Sequence, residues 1–235
     1  METAIVAGVG PGLGASLARA LAKENYAVAL FSRRLESSEP VADQIRTLGG
    51  RTRAIPVDVT DKKSVGKAVQ QVRAEFSPVT VLAYNASGFG RGNFLDLDPE
   101  AIRGSFEVGV MGAVHLAQAV LPDMIRAGVG AISLTGATAS LRGRAGFAPL
   151  AMAKAALRML GQSLAREFHP KGIHIVHVIV DGQIDTPRVR AREPERSSET
   201  LIPPDAIAHA ILQAFKQPRN AWTHELDIRP CGESF

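Results

Sequence analysis

An apolar run, Thr3-Ala4-Ile5-Val6-Ala7, ends directly in Gly8-Val9-Gly10-Pro11-Gly12-Leu13-Gly14, and an Ala/Leu-rich stretch follows. Glycines crowded between a strand and a helix constrain this chain more than any other feature. Such a turn is tight, its backbone comes close to a partner, and the new helix packs on the strand. Bare N–H groups and the helix dipole at that corner favour anionic phosphates. Gly8, Gly10, Gly12, Leu13 and Gly14 are therefore candidate contacts to the pyrophosphate of a dinucleotide. A Gly-Pro loop can also be only a turn. Here the preceding strand, the following helix and the N-terminal placement all agree on phosphate binding.

The rest of the chain repeats this alternation of short apolar runs and longer amphipathic stretches. Strands are predicted at Thr3–Gly8, Ala27–Ser32, Arg53–Asp58, Val79–Tyr84, Gly130–Thr135, Ile173–Val180 and His224–Arg229, and helices at 12–25, 36–48, 61–75, 99–127, 148–168 and 204–216. Ile173–Val180 is apolar almost throughout, as parallel strands covered on both faces require. The pattern specifies α/β architecture: a Rossmann-like doubly wound parallel sheet of about seven strands, in one domain spanning 1–235. The segment 186–204, rich in Arg, Glu, Ser and Pro, reads as a mobile loop with a short helix.

Composition excludes several classes. With 46% hydrophobic and 21% charged residues and a net charge of +4, the chain carries no block of like charge, so no nucleic-acid footprint is expected. Cys231 is the sole cysteine, which rules out a disulfide framework within the chain. No basic n-region precedes the first apolar run, and no stretch reads as a membrane helix, so a cytoplasmic location without membrane contact is expected. His174 and His177, three apart on a strand, face opposite sides and cannot share a metal. No metal site is predicted.

The spacing Gly8, Gly12, Gly14 resembles that of the short-chain dehydrogenase/reductase family, and further marks fall in the family's order along essentially the whole chain. Asp58-Val59 follows the third strand, and Asn85-Ala86 follows the fourth, with Ser87 where the family has glycine. Lys154 lies on the fifth long helix. Asp181-Gly182-Gln183-Ile184-Asp185-Thr186-Pro187 is similar to the family's Pro-Gly-x-x-x-Thr turn, with aspartate for proline. The resemblance implies that Asp58, Val59, Asn85, Ala86, Lys154, Ile184 and Thr186 contact a nicotinamide cofactor. It also implies a small-molecule substrate and a homodimer or homotetramer built through the fourth and fifth long helices. At the end of the second strand, Ser32-Arg33-Arg34 stands where NAD-binding members carry an acid. Guanidinium groups accept a 2′-phosphate that a carboxylate would repel, so NADP(H) is expected over NADH. The alternative is that both arginines are surface residues.

The same resemblance locates four positions for the chemistry. Counting back from Lys154 puts the family's tyrosine at Leu150 and its serine at Ala137, and the helical asparagine falls at Gly109. Of the four, only Lys154 matches. Leucine donates no proton, and an alanine side chain bonds no oxyanion. Candidate substitutes are Tyr84, at the carboxyl edge of the fourth strand, Thr138, beside Ala137, and Lys154 itself. Each has a bland reading, as a packing residue, a loop hydroxyl and a ribose-holding residue respectively. Arginines at alternate positions in Pro187-Arg188-Val189-Arg190-Ala191-Arg192 suit a carboxylate or phosphate substrate, but an exposed loop with solvated charges is the commoner reading of such a run. Two functions follow: an NADP(H)-dependent oxidoreductase with a divergent site, or a catalytically inactive NADP(H)-binding scaffold. Reduction of a polarised C=C bond is a third, minor reading.

Overall fold

The computed structural model describes residues 1–232. Seven parallel strands form one sheet in the order β3-β2-β1-β4-β5-β6-β9: β1 (Thr3–Ala7), β2 (Ala27–Ser32), β3 (Thr52–Pro56), β4 (Val79–Tyr84), β5 (Gly130–Thr135), β6 (Ile173–Val180) and β9 (Glu225–Ile228). The order reverses between β1 and β4. Crossovers leave on opposite faces there, so a crevice opens at the carboxyl ends of those two strands.

Side chains alternate along each strand, and both faces are covered. Ala4 and Val6 of β1 face one layer with Leu17 and Leu21 of α1 (Leu13–Lys23), Val41 of α2 (Leu35–Thr47) and Ile207 of α8 (Pro204–Phe215). Ile5 and Ala7 face the other, with Val69 of α3 (Lys62–Glu75), Leu116 of α5 (Gly112–Ala127) and Leu157 of α6 (Ala148–Phe168). All eight residues of β6 are buried, consistent with a strand sandwiched between helix layers.

The stretch 99–127, predicted as one helix, is interrupted. α4 (Pro99–Phe106) passes through a π-helical turn, Glu107–Met111, before α5 begins. Gly112 lets the helix approach β4 so closely that a Cβ there would stand 2.8 Å from Val59 Cγ2 and would overlap the Tyr84 hydroxyl. That hydroxyl donates to the Val108 carbonyl. A side chain inserted into the helical ladder is a known cause of such a widened turn. The same run, Pro99–Ala127, is long and apolar enough to cross a membrane by length and composition, which corrects the sequence expectation that none would be. Its apolar face packs on β4 and α3 within the core, through Leu116, Val120 and Met124.

The segment 186–204 carries regular structure: α7 (Pro187–Arg192) and a short strand β8 (Leu201–Ile202), which pairs in parallel with β7 (Gln183–Ile184). Trp222, just before β9, stacks face to face on His174 with centroids 4.7 Å apart.

Candidate functional site

The β1–α1 corner is shaped by close approach. Gly8 has φ +89°, and a Cβ on it would stand 2.5 Å from the Ala86 amide nitrogen; one on Gly14 would stand 2.5 Å from the Gly8 carbonyl oxygen. Asn85 completes the corner: its amide donates to the Ala7 carbonyl at 2.8 Å and its Nδ2 to the Gly8 carbonyl at 3.0 Å. At the helix start, Gly12 is the N-cap, no side chain caps the amides, and the first turn carries no acid. Uncapped amides plus the helix dipole make that end receptive to an anion. Thr186 closes over it, with its Cγ2 3.0 Å from where a Gly12 Cβ would be, and its Oγ1 caps α7 by accepting from Val189 N.

A cleft of about 930 Å³ runs from this corner along the carboxyl edge of the sheet. Among the sequence candidates, Gly8, Gly10, Ser32, Arg33, Arg34, Asp58, Val59, Asn85 and Ala86 line it together. Gly12, Leu13, Gly14, Ile184 and Thr186 are not part of that lining, and neither are Lys154, Thr138 and Tyr84. Sequence reasoning missed Ser37, Thr60 and Phe89, which also line the cleft, as does Arg188 of the basic segment 187–192.

The far end of the cleft is positively charged. Arg34 is the N-cap of α2, and Ser32 turns its hydroxyl inward, donating to the Arg34 carbonyl at 2.8 Å and meeting Ser38 Oγ at 2.8 Å. That pairing fixes the loop from which Arg33 and Arg34 project. On the opposite wall, the Thr60 hydroxyl and amide both donate to Asp58 Oδ1, at 2.7 and 3.0 Å. Those bonds, with Arg33 nearby, hold the Asp58 carboxyl below its ordinary range. Of the three arginines on α7, Arg190 pairs with Asp185 at 2.7 Å and Arg192 with Glu193 at 2.6 Å, while Arg188 faces the cleft.

Of the candidate catalytic residues, Lys154 and Tyr84 are buried and Thr138 is half-buried. Lys154 is buried, its Nζ donates to the Thr135 carbonyl at 2.6 Å, and desolvation brings its pKa down to about 8. Tyr84 is fully buried, its hydroxyl engaged by Val108, and burial pushes its phenol up. Thr138 Oγ1 bonds to Asp181 Oδ1, and Asp181 in turn lies 3.2 Å from Arg229 Nη1 and 3.8 Å from Arg142 Nη2.

The short chain dehydrogenase profile matches residues 2–197. The chain belongs to the short chain dehydrogenase family. Curated relatives of this short chain dehydrogenase include an uncharacterized oxidoreductase of Staphylococcus aureus, 25% identical over 97% of both chains. Another is the ketoacyl reductase HetN of a Nostoc species, 28% identical over 92% of this chain and 75% of its own. Among solved structures, a short-chain dehydrogenase from Rhodopseudomonas palustris is 32% identical, with a TM-score of 0.80 over 97% of this chain and 98% of that one. An alcohol dehydrogenase from Thermococcus sibiricus, complexed with 5-hydroxy-NADP, has 26% identity and a TM-score of 0.88 over 98% and 97%.

Around Lys154 of this short chain dehydrogenase the neighbouring positions are apolar. Leu150 lies one helical turn before it on α6, Ala137 ends the loop after β5, and a Cβ on Gly109 would press on Ala153 Cβ at 3.2 Å. Beneath them, Ser140 Oγ accepts from Ala137 N at 3.1 Å and meets His177 Nε2 at 3.3 Å, while His177 Nδ1 lies 3.3 Å from Glu225. His115, inside α5, places its Nδ1 3.0 Å from the Val59 carbonyl. Among the described residues there is no cluster able to hold a metal ion.

Proposed function

We propose that this chain is an NADP(H)-dependent oxidoreductase with a divergent active site, moving hydride to or from a small organic substrate. One observation carries the reading: a single cleft runs from Gly8 and Gly10, beside the uncapped start of α1, to Arg33 and Arg34. The first suits a pyrophosphate, and the second a 2′-phosphate that a carboxylate would repel. NADPH bound there supplies the hydride.

In this reading the chain's own residues act as follows. Gly10, Gly12, Leu13 and Gly14 present amides to the pyrophosphate, Gly8 makes the turn with its own amide donating to the Phe31 carbonyl, and Thr186 covers the corner. Asp58, Val59, Asn85 and Ala86 border the adenine end and the middle of the cleft, and Ile184, paired with Ile202, backs the segment 186–204, which is the lid in this reading. Lys154, desolvated and already holding the Thr135 carbonyl, has two further protons with which to hold a ribose hydroxyl. Thr138 is the polar side chain beside Ala137, but its proton goes to Asp181. It therefore offers lone pairs: it can accept from a substrate hydroxyl and does not stabilise an oxyanion. Tyr84 serves packing. By the family's spacing, its tyrosine, serine and asparagine positions fall at Leu150, Ala137 and Gly109, so substrates needing a strong side-chain proton donor are disfavoured. Loss of such a donor typically costs roughly 10²–10⁴ in rate.

The apolar surroundings of Lys154 also favour a second reading, a catalytically inactive NADP(H)-binding protein. Mixing the protein with NADPH and panels of ketones, aldehydes, alcohols (with NADP⁺) and enones distinguishes the two. Steady absorbance change that is lost in Lys154→Ala supports the enzyme, and cofactor binding without turnover across the panels supports the scaffold. Exposed Phe106, Met152 and Met159 on α4 and α6 support a homo-oligomer formed through those helices. Light scattering giving a monomer mass would contradict it.

A further inference from the structure

Two loops following neighbouring strands close on each other beside the start of α6. Gly92 N donates to the Gly146 carbonyl at 2.9 Å, and a Cβ on Gly90 would stand 3.0 Å from Pro149 Cβ. The wall they build carries an ordered stack. The guanidinium carbons of Arg91 and Arg144 lie 5.6 and 5.8 Å from the Phe147 ring centroid, and Phe89 meets that ring edge-on at 6.5 Å. Phe147 is the N-cap of α6, three residues before Leu150.

Stacking on a ring orients a guanidinium without neutralising it. Among the described residues, neither Arg91 nor Arg144 has a carboxylate within ion-pair distance, in contrast to Arg190 and Arg192 of the lid. Residues 85–95 and 136–155 contain no Asp or Glu at all. Beside these charges Phe89 is 63% exposed, a large ring left in water. Two pre-oriented, unneutralised forks next to an exposed aromatic edge complement a ligand with an anion at one end and a flat apolar body at the other.

We infer that this wall binds the substrate, and that the substrate is a carboxylate attached to a flat apolar body, its carboxylate held by Arg91 and Arg144 and its body against Phe89 and Phe147. The inference rests on the oxidoreductase reading for the word substrate. It also supplies what that reading lacks: with Ala137 and Leu150 offering no hydrogen bond, orientation comes from the distal charge.

Naphthoate, its uncharged amide and acetate serve as probes, titrated calorimetrically into the protein with and without saturating NADP⁺. Naphthoate should bind roughly tenfold or more tightly than naphthamide, as charge-assisted bidentate pairing implies, and acetate weakly. The preference should vanish in Arg91→Gln/Arg144→Gln while NADP⁺ affinity is unchanged. Phe147→Leu should weaken naphthoate and naphthamide together. Equal binding of naphthoate and naphthamide, binding of neither, or a preference that survives the double variant overturns the inference. Failure of NADP⁺ to bind would instead count against the oxidoreductase reading, because the cofactor-free titration still reports on the wall.

Discussion

Thr138 gives its hydroxyl proton to Asp181, a fully buried carboxylate that also lies 3.2 Å from Arg229. The family's turn has proline at that point, which could make neither contact. The bond ties the loop after β5 to the end of β6, beside the candidate site. Asp181→Asn removes the charge that Arg229 and Thr138 face. It is expected to destabilise the fold by roughly 2–4 kcal/mol, read as a lowered urea midpoint. Thr138→Val loses one charge-assisted bond and should cost about 1.5–3 kcal/mol. A neutral Asp181→Asn would remove the structural role assigned to the pair.

Gly8→Ala places a methyl against the Ala86 amide in a backbone with φ +89°. The left-handed conformation alone costs roughly 1–2 kcal/mol, and the clash adds to it. The variant should show a lower melting temperature and lose measurable NADPH binding, checked by thermal shift with and without cofactor.

Arg33→Ala/Arg34→Ala should raise the dissociation constant for NADPH roughly 10- to 100-fold and leave NADH nearly unchanged, as the loss of charge-assisted contacts to one phosphate predicts. Fluorescence titration of both nucleotides checks it. An equal loss for both would assign the arginines to a general role.

Much of this was legible in the sequence because it is local. The Gly8–Gly14 corner and the apolar strands declare themselves within a few residues, as does the start of α4, where Asp98 caps by accepting from Glu100 N and Pro99 opens the helix. What escaped depends on pairs far apart in the chain. The π-helical turn in 99–127 arises where Tyr84 of β4 reaches the Val108 carbonyl, and nothing in the helix's own periodicity marks it. Arg91 meets Phe147, and Asp181 meets Arg229, only after the sheet is assembled. The alternating lid arginines looked equivalent; Asp185 and Glu193, visible as neighbours, take two of them and leave Arg188 in the cleft.

His177 is buried on β6 beneath Gly161 of α6, and desolvation lowers its pKa from 6.5 to about 4. Above pH 6.5 neither the folded nor the unfolded chain is protonated there, and the stability is fully present. Between 6.5 and about 4 the unfolded chain takes up the proton first, so stability falls across that window, by roughly 3 kcal/mol at most. Melting temperatures measured from pH 7.5 to 4 should decline, and His177→Gln should flatten the part of the decline below pH 6.5.

Leu150→Tyr/Ala137→Ser introduces a phenol one helical turn before Lys154 and a hydroxyl in the loop after β5. If the apolar positions limit carbonyl chemistry, ketone reduction with NADPH should rise roughly 10²–10⁴-fold over the parent. Steady-state rates with a common ketone panel check it. An unchanged rate would mean that these positions do not face the substrate.

Calorimetric titration of the purified chain with NADPH, and in parallel with NADH, tests the cofactor site most directly. A single site per chain with NADPH bound at least ~10-fold more tightly than NADH, and a matching rise in melting temperature, is the predicted result. No heat and no thermal shift with either nucleotide would contradict it.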